Sequence, residues 1–478
     1  MNFARDVVDA APATAPALIE IARDGSRRVW TFGEVAERST RLAGTFAAHG
    51  VRPGDVVMTL IGNRPEWVIA MVACLRIGAV VLPCMEQLRA KDLRHRFDTA
   101  RPRLVVADER NRGELKAAMR DRTGIDVLLV PDEALYASAP APAPDLEPDR
   151  DCLVTFTSGT SGEPKGVVHG QRYLTGQRLQ AERWLGARPG DIVWCTAATG
   201  WSKSARNAFI APWLCGATAV LHDARFDPAE RMAIVERERV NVLCMAPTEY
   251  RVIAKRTELR PSAHLRELVA AGEALNPEVT HTFRDALGVP VRDGYGQTET
   301  GQLTGVAPGA EVPDGSMGPA LPGIRAWIDG GELVVDPATV PTFFLRYLGD
   351  ERAHTGPWRT GDRVEVDSHG CFTFVGRADD IIISAGYRIG PYEVESALIA
   401  HATVAEAAVV SAPDDERGSV VRAVVVLRDG HMPSDALVRE LQSHVKAETA
   451  PYKYPRIVDF VPALPKTDSG KIQRALLR

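Results

Sequence analysis

The sequence predicts an α/β protein, with a large multi-layered N-terminal body of mixed and parallel sheets and a small, mobile α+β C-terminal domain. Two observations predict the body: apolar strand-like runs alternate with amphipathic helical runs over residues 31–130, and again from residue 151 to about 330. Such alternation favours layered architectures with largely parallel sheets. The third observation is a run of about 100 residues after 376 that mixes short strands with two helices, enough for a small separate domain.

The elements of the first region follow one another from residue 31. TFGEVAERSTRLAGTFAAHG (31–50) has the spacing of an amphipathic helix that ends at Gly50. DVVMTLIG (55–62) predicts a buried strand, and PEWVIAMVACLRIG (65–78) followed by GAVVLP predicts a second helix and strand. The Pro/Ala-rich stretch ASAPAPAPDLEPD (137–149) predicts an extended linker before the second α/β region.

The C-terminal part begins where GRADD follows a series of short strands. YEVESALIAH (392–401) and DALVRELQSHVKAETA (435–450) predict its two helices, and β-branched runs between and after them predict strands. We therefore expect a body over residues 1–376, a hinge over 377–380 and a small domain over 381–478.

Composition and charge exclude several classes of protein. A net charge of −5 lacks the basic excess of a general nucleic-acid binder. The most apolar stretch, WVIAMVACLRIGAVVL (67–82), is interrupted by Arg76 and Gly78 and is too short to span a membrane. The seven cysteines are scattered without paired spacing, and the N-terminus lacks a signal peptide, so we expect a cytoplasmic protein with reduced thiols.

A glycine- and hydroxyl-rich loop, TFTSGTSGEPKGVVH (155–169), has the composition of a phosphate-binding loop. It is not a Walker A loop, because Pro164 and Gly166 occupy positions where that motif has glycine and serine or threonine. The flanking residues are β-branched and apolar, which predicts strand–loop–strand rather than strand–loop–helix. A solvated turn is the alternative for this stretch taken alone.

Four further short motifs each resemble a functional loop, although any one of them is also typical of a solvated turn. They are RDGYGQTETG (292–301), WRTGD (358–362), GRADDIIISAGYRIGP (376–391) and PKTDSGKIQR (465–474). With TSGTSGEPKG, their order and spacing over the whole chain resemble the signature set of the AMP-forming acyl-CoA synthetases, in the acyl-adenylate-forming superfamily. TGWSKSARNAFIAPWLCGATAVLH (199–222) and the C-terminal ETAPYKYPR are most similar to the medium-chain members.

The resemblance implies ATP-dependent ligation of a carboxylic acid, medium-chain fatty or aromatic, to coenzyme A through an acyl-adenylate, with ATP, Mg²⁺ and coenzyme A as the cofactors. It implies only small-molecule partners, no nucleic acid, no membrane span, and a monomer or homodimer. Three alternatives remain at this point. They are an adenylating enzyme that serves a carrier protein, a non-catalytic nucleotide-binding homologue, and a kinase or ATPase, the last disfavoured by Pro164.

The resemblance also assigns the nucleotide site. Thr298 would donate to the α-phosphate, Glu299 would bind Mg²⁺, and Lys471 would be the mobile catalytic lysine. Tyr295 would stack on adenine, and Asp362 would accept the ribose hydroxyls. The expected ATP-binding residues are Thr157, Ser158, Gly159, Thr160, Ser161, Gly162, Lys165, Gly272, Glu273, Asp293, Gly294, Tyr295, Gly296, Gln297, Asp362 and Arg377.

The remaining assignments concern coenzyme A and the acid. Asp379 would be the hinge about which the small domain rotates between half-reactions, and Gly386 would line the pantetheine tunnel. The expected coenzyme A contacts are Gln87, Ala385, Gly386, Tyr387, Arg388, Arg417, Lys446, Tyr454 and Arg456. Ala385 stands where the medium-chain enzymes usually have serine. Trp201, Asn207 and Ala271 would line the acyl pocket, where no charged residue stands out, so we expect an apolar acid.

Overall fold

The structure is a computed structural model that describes residues 1–157, 164–350, 352–378, 380–384, 387–414, 418–449, 451–467 and 472–478. Several predicted site residues lie outside the described residues: Ser158, Gly159, Thr160, Ser161, Gly162, Asp379, Ala385, Gly386, Arg417 and Lys471, together with the side chain of Arg388.

Two seven-stranded sheets form the body. The first, in the order β13-β12-β11-β9-β10-β1-β2, is parallel except for its edge strand β2. Its strands are β1 (Pro16–Ile21), β2 (Arg27–Thr31), β9 (Ile192–Cys195), β10 (Thr218–His222), β11 (Val242–Met245), β12 (Glu267–Ala271) and β13 (Val291–Gly294).

The second seven-stranded sheet, in the order β18-β8-β7-β4-β3-β5-β6, is parallel from β7 to β6 and antiparallel at β8 and β18. Its strands are β3 (Val56–Leu60), β4 (Val80–Cys84), β5 (Leu104–Asp108), β6 (Asp126–Val130), β7 (Asp151–Phe156), β8 (Gly166–Gly170) and β18 (Arg346–Tyr347).

Helices cover both faces of each sheet. Residues of α2 share one hydrophobic core with side chains of both seven-stranded sheets, so this helix lies between them. Two further cores pack the outer face of the first sheet against α8 to α10 and that of the second against α3 and α4. The α-helices of the body are α1 (Phe32–Ala48), α2 (Pro65–Ile77), α3 (Ala90–Ala100), α4 (Arg112–Ala118), α5 (Arg172–Gln180), α6 (Ser202–Ala205), α7 (Ala211–Leu214), α8 (Pro228–Arg237), α9 (Pro247–Arg256) and α10 (Pro277–Leu287).

The predicted layered α/β alternation is confirmed, and local chemistry explains its boundaries. The Thr31 hydroxyl accepts a hydrogen bond from the Glu34 backbone while the Glu34 carboxylate bonds the Thr31 backbone, which caps the start of α1. This helix ends at Ala48, two residues before the predicted Gly50. Gly78, in the left-handed conformation at φ 71°, ends α2.

The Pro/Ala-rich stretch 137–149 does not separate two independent units. It contains no regular helix or strand, and Ala141 and Leu146 are buried against the body. The strand that follows it, β7, joins the sheet formed by β3 to β6, while β1 from the chain start joins the sheet formed after residue 190. The start of the chain therefore contributes a strand to the sheet built mainly from the second α/β region, and the second region contributes a strand to the sheet built mainly from the first.

The smaller sheets follow toward the C-terminus. A hairpin of β14 (Gly296–Gln297) and β15 (Gly301–Gln302) precedes an antiparallel four-stranded sheet of β16 (Ala326–Asp329), β17 (Glu332–Val335), β19 (Trp358–Val366) and β20 (Phe372–Arg377). The C-terminal part contains the pair β21 (Ile382–Ser384) and β22 (Tyr387–Ile389), a three-stranded sheet of β23 (Val404–Asp414), β24 (Gly418–Leu427) and β25 (Ile457–Phe460), and the helices α11 (Pro391–Ala400) and α12 (Asp435–Glu448). Both predicted C-terminal helices are thus present.

The C-terminal part has its own hydrophobic core, and its contacts with the body include hydrogen bonds and an edge-to-face contact between the Tyr392 and Phe374 rings. The Tyr392 hydroxyl donates to the Leu275 carbonyl at 2.7 Å, and the Lys255 ammonium donates to the Ala405 carbonyl at 3.2 Å. The boundaries at residues 376 and 381 stay a prediction. Across the described ranges, every helix is too short or too polar to cross a bilayer.

Candidate active site

The predicted phosphate loop connects two paired strands. Strands β7 and β8 flank it, which confirms the strand–loop–strand prediction, and the structure shows that they are antiparallel neighbours. The Thr157 amide donates to the Lys165 carbonyl at 2.9 Å, which closes the base of the loop. The Lys165 ammonium lies 5.4 Å from the centroid of the Tyr347 ring, a cation–π contact that points this side chain toward the neighbouring strand β18.

Glu299 contacts the same tyrosine. It lies in the turn between β14 and β15, and its carbonyl accepts the Phe344 amide at 2.8 Å. The Tyr347 hydroxyl donates to Glu299 Oε1 at 2.9 Å. Tyr347 therefore brings together two predicted phosphate-site residues, Lys165 and Glu299. The sequence analysis missed Tyr347, because only the long-range pairing of β18 with β8 carries it to this position.

Thr298 adjoins a buried histidine. Its backbone faces the ring of His169, which stacks on Tyr173 with a centroid distance of 4.1 Å. Burial lowers the pKa of His169 to about 3, so the imidazole is neutral at physiological pH. Thr298 therefore lies beside a neutral side chain and not beside a further cation.

A cluster of side chains surrounds the Asp362 carboxylate. The Tyr295 hydroxyl donates to Oδ2, the Gln297 amide donates to Oδ2 at 3.0 Å, and the Arg377 guanidinium contacts Oδ1 at 3.0 Å. Asp362 is 5% exposed, and burial raises its pKa although Arg377 and the hydrogen bonds act to lower it. The structure thus joins four residues that sequence analysis assigned to ATP.

The carboxyl ends of β12 and β13 lie next to this cluster. After Ala271, Gly272 adopts φ 98°, and a β-carbon there would lie 3.2 Å from the Lys203 ammonium, which itself donates to the Ala271 carbonyl at 2.9 Å. Glu273 Oε2 accepts hydrogen bonds from the Thr248 hydroxyl at 2.6 Å and from the Arg251 guanidinium at 3.2 Å. The loop is therefore fixed by body side chains on both sides.

Two of the predicted ATP-site glycines are needed for close packing. A β-carbon at Gly294 would lie 2.3 Å from the Gln302 amide nitrogen, and one at Gly296 would lie 1.9 Å from the Gly301 carbonyl. Neither position has room for any other residue. Asp293, immediately before them, is 4% exposed, and burial raises its pKa to about 8 against the opposing hydrogen bond from the Gly294 amide.

Three predicted coenzyme A residues meet on the C-terminal part. The Lys446 ammonium lies 3.9 Å from the centroid of the Tyr454 ring, and the Arg456 guanidinium carbon lies 5.0 Å from it. Tyr387 stacks on Tyr452, with a centroid distance of 4.4 Å and an interplanar angle of 20°. These residues form a basic, aromatic surface.

Gln87 stands apart from that group, at the rim of a cavity of about 750 Å³ in the body. Met85, Thr196, Thr199 and Asp223 also line the cavity. The indole nitrogen of Trp201 donates to the Met85 sulfur at 2.7 Å. The predicted mouth of the acyl pocket therefore lies next to the cavity that carries Gln87.

Of the three predicted acyl-pocket residues, Trp201 and Asn207 belong to one continuous helical segment, where α6 passes into a π-helix, Arg206–Ile210, and then into α7. Ala271 is the last residue of β12. Asn207 is fully buried and accepts a hydrogen bond from the Gln180 amide at 2.9 Å. Two cations lie close to these residues, although no charged residue stood out there in the sequence. Lys203 reaches the Ala271 carbonyl, and Arg206 is buried beside Asn207. Local sequence gave no sign that these two cations face inward.

The predicted magnesium residue fits a site completed by substrate oxygens. In the ranges that the structure describes, no three His, Cys, Asp or Glu side chains gather into a metal-binding group. Mg²⁺ is usually bound by one or two carboxylates together with phosphates and water. The single carboxylate of Glu299, oriented by Tyr347, is compatible with that mode.

Comparison with known proteins identifies the family to which these motifs belong. Residues 5–340 match the AMP-binding enzyme family, and residues 393–471 match the AMP-binding enzyme C-terminal domain. An uncharacterized acyl-CoA ligase of Bacillus subtilis, YtcI, is 39% identical over 95% of this chain and 91% of its own length.

Two further relatives extend the comparison. Human mitochondrial acyl-coenzyme A synthetase ACSM3 is 35% identical over 100% of this chain and 89% of its own. Among solved structures, the anthranilate CoA ligase AuaEII in complex with anthranoyl-AMP superimposes with a TM-score of 0.90 at 26% identity, covering 100% of this chain and 96% of that chain. The chain therefore belongs to the AMP-binding enzymes and is one of their acyl-CoA synthetases.

Proposed function

We propose that this protein joins a medium-chain fatty or aromatic acid to coenzyme A in two steps, with ATP as the energy source. In the first step a carboxylate oxygen attacks the α-phosphorus of ATP, the bond to the β-phosphate oxygen breaks, and pyrophosphate leaves. In the second, the coenzyme A thiol attacks the carbonyl carbon of the acyl-adenylate, loses its proton, and releases AMP. The relatives' names and the anthranoyl-AMP complex support this chemistry.

The observation that carries the proposal is the convergence of Lys165 and Glu299 on Tyr347. An ammonium group next to an oriented carboxylate suits the polyphosphate of ATP and its metal ion. Glu299 would hold Mg²⁺, which when bound neutralises phosphate charge. Thr157 and Lys165 would hold the departing pyrophosphate, and Thr298 would donate to the α-phosphate.

The Asp362 cluster would hold the nucleoside. Its carboxylate accepts from Tyr295 and Gln297, and the ribose hydroxyls would be further donors to it. The Tyr295 ring would stack on adenine, with the segment from Gly272 to Glu273 on the ring's other side. Lys471 would neutralise charge during adenylation, and rotation at Asp379 would then bring Gly386 to the site for the thiol.

The surface of Lys446, Tyr454 and Arg456 would bind coenzyme A, since two cations on one aromatic ring suit a nucleotide phosphate and base. We also propose a cytoplasmic location and a monomer or homodimer, without nucleic acid as a partner.

Product analysis tests the function. Purified protein with ATP, Mg²⁺, coenzyme A and a panel of carboxylic acids should form AMP, pyrophosphate and acyl-CoA in equal amounts. Formation of ADP would contradict adenylation. Acid-dependent exchange of pyrophosphate into ATP without acyl-CoA would instead indicate an enzyme that serves a carrier protein.

A further inference from the structure

Four arginine side chains are buried among the described residues, with exposed fractions of 2–6%. Three of them pair with a carboxylate: Arg76 with Asp9 at 2.5 Å, Arg231 with Glu249 at 3.1 Å and Arg292 with Glu267 at 2.8 Å. The fourth, Arg206, is 4% exposed and has no carboxylate partner within the described part of the chain. A buried cation without a counter-charge is unfavourable unless a ligand supplies one.

The groups around Arg206 are neutral. Its Nε and Nη1 atoms and the Asn207 amide nitrogen are buried without a close hydrogen-bond partner among the described residues. The Tyr173 hydroxyl lies within reach of both the Ser202 hydroxyl and the Arg206 guanidinium. Burial raises the pKa of Tyr173 while the nearby guanidinium acts to lower it, so Tyr173 stays a neutral donor. The neighbours of Arg206 that are named here therefore supply hydrogen-bonding groups but no negative charge, so an anionic ligand group would compensate the buried guanidinium.

Arg206 also faces the side of the body where substrate is expected. It follows Lys203 by three residues on one helical segment, so the two side chains share a face. Lys203 reaches the carboxyl end of β12, and the Arg206 guanidinium lies near Cys244 at the carboxyl end of β11. In open α/β sheets, ligands bind outside the carboxyl ends of the strands.

A series of contacts through two aromatic rings connects Arg206 with the proposed reaction centre. Tyr173 adjoins Arg206, the His169 ring stacks on Tyr173 at 4.1 Å, and the Thr298 backbone faces His169. A carboxylate that reacts beside Thr298 is therefore separated from Arg206 by the width of these side chains. An anion bound at Arg206 belongs to the far part of the acyl group, not to the reacting carboxylate.

We propose that the acid activated by this enzyme carries a second carboxylate, several carbon atoms from the first, and that Arg206 binds it. The substrate class is thus a dicarboxylic acid, aliphatic or aromatic. This rests on the proposed function and narrows it. The neutral donors Tyr173 and Ser202 would complete the recognition of the second carboxylate, and Arg206 is a specificity-determining residue that takes no part in bond breaking.

The test compares matched acids in the full-length enzyme. For the pairs hexanoate and adipate, and benzoate and isophthalate, kcat/KM for acid-dependent AMP formation should be at least tenfold higher for the dicarboxylic member of one pair. Arg206→Met should lower kcat/KM for that dicarboxylate by about 100-fold, the scale of losing one partner of a buried charge pair. It should leave the monocarboxylate unchanged or improved. Arg206→Lys should restore part of the preference, and Arg183→Met, an exposed arginine on a neighbouring helix, should change nothing.

Ligand-induced thermal stabilisation gives a second readout that does not require turnover. Without ATP, adipate or isophthalate should raise the Tm of the wild-type protein more than its monocarboxylic partner does, and Arg206→Met should abolish the difference. A wild-type preference for both monocarboxylates in both assays would overturn the proposal. An equal loss of kcat/KM for both members of a pair in Arg206→Met would also overturn the proposal. Failure of every acid to yield AMP would overturn the proposed function, while the thermal-shift comparison would still decide whether Arg206 binds a second carboxylate.

Discussion

The Tyr295 hydroxyl donates a hydrogen bond to the Asp362 carboxylate, linking the turn after β13 to strand β19 of a different sheet. Tyr295 is the residue predicted to stack on adenine, and Asp362 is the one predicted to bind ribose. Because Gln297 and Arg377 also contact this carboxylate, its orientation is fixed before any nucleotide arrives. A preorganised acceptor avoids the ordering cost of binding.

Tyr295 has two predicted roles, since its ring would stack on adenine and its hydroxyl orients Asp362. Two substitutions can separate them. Tyr295→Ala removes the stacking surface, which for nucleic-acid bases is worth about 1–3 kcal/mol, so the KM for ATP should rise about 5- to 150-fold. Tyr295→Phe keeps the ring and removes only the hydroxyl, and we expect a rise of less than about fivefold. Steady-state kinetics with varied ATP measures both variants. An equally large effect of the two would mean that the hydroxyl, not the ring, carries the nucleotide interaction.

Glu299→Ala should lower ATP-dependent activity by about 10²–10³-fold, because the metal ion would lose its protein carboxylate. Tyr347→Phe is the matched milder change, since it removes the hydroxyl that donates to Glu299 at 2.9 Å and keeps the ring beside Lys165. It should cause about a tenfold loss that high Mg²⁺ partly restores. Pyrophosphate exchange across a magnesium titration measures both. Full activity of Glu299→Ala throughout the titration would remove this residue from the site.

Lys471→Ala and Gly386→Leu should fail in opposite half-reactions. Lys471 is predicted to act in adenylation, so its loss should slow that step by about 10²–10³-fold and leave the conversion of pre-formed acyl-adenylate to acyl-CoA intact. Gly386→Leu should keep pyrophosphate exchange and block thioester formation, because the added side chain fills the pantetheine path. Separate assays of the two half-reactions decide this. Equal damage to both steps in both variants would argue against domain alternation.

The hinge gives an independent test of the same alternation. Asp379→Pro restricts backbone rotation at the predicted hinge, so it should behave like Gly386→Leu rather than Lys471→Ala. A loss of pyrophosphate exchange in this variant would place Asp379 in adenylation and contradict its assignment as a hinge.

Trp201 should influence which acids are accepted. Its indole donates to Met85, which lines the large cavity, so Trp201→Ala opens the expected mouth of the acyl pocket. We expect the ranking of a panel of chain lengths and aromatic acids to shift toward bulkier members, as kcat/KM values would show. An unchanged ranking would locate the pocket elsewhere.

Asp293 should make the stability of the protein depend on pH in a defined direction. Its pKa in the folded protein is about 8, against about 3.9 for an unperturbed aspartate, so between these values the folded state binds a proton that the unfolded state releases. Its contribution to stability is therefore complete below about pH 4 and is lost as the pH rises toward 8.

Asp293→Asn keeps the acceptor for the Gly294 amide and removes the ionisation. The stability of this variant relative to wild type should increase from pH 5 to pH 8, by at most about 1.4 kcal/mol per pH unit. Urea unfolding at several pH values measures it, and a constant difference would contradict the assignment.

Patterns among residues close together in the sequence predicted many of the strands and helices and several site residues. The β-branched runs around TSGTSGEPKG predicted the two strands β7 and β8, and the spacing of apolar residues predicted the helices that begin at Phe32 and Pro65. The motif resemblance predicted that Tyr295, Gln297, Asp362 and Arg377 serve one nucleotide, and the structure joins them in one cluster.

The missed features depend on distant parts of the chain. Tyr347 reaches Glu299 only because β18 pairs with β8, and no local pattern encodes that pairing. Arg206 looks like a surface arginine on an amphipathic helix, and burial by α5 and the strand ends makes it an interior cation. The Pro/Ala-rich stretch looks like a domain boundary, because composition does not report which sheet the next strand will join.

The exchange of strands between the two halves has a consequence for synthesis on the ribosome. Strand β1 emerges early, but its parallel neighbour β10 is formed by residues 218–222. Until that segment has left the exit tunnel, β1 and β2 form at most a two-stranded ribbon, which is marginally stable alone and exposes an apolar edge. The nascent chain is thus open to wrong pairing for much of its translation. We expect the first sheet to close late, and truncated chains that end before residue 218 to be bound by chaperones rather than to fold.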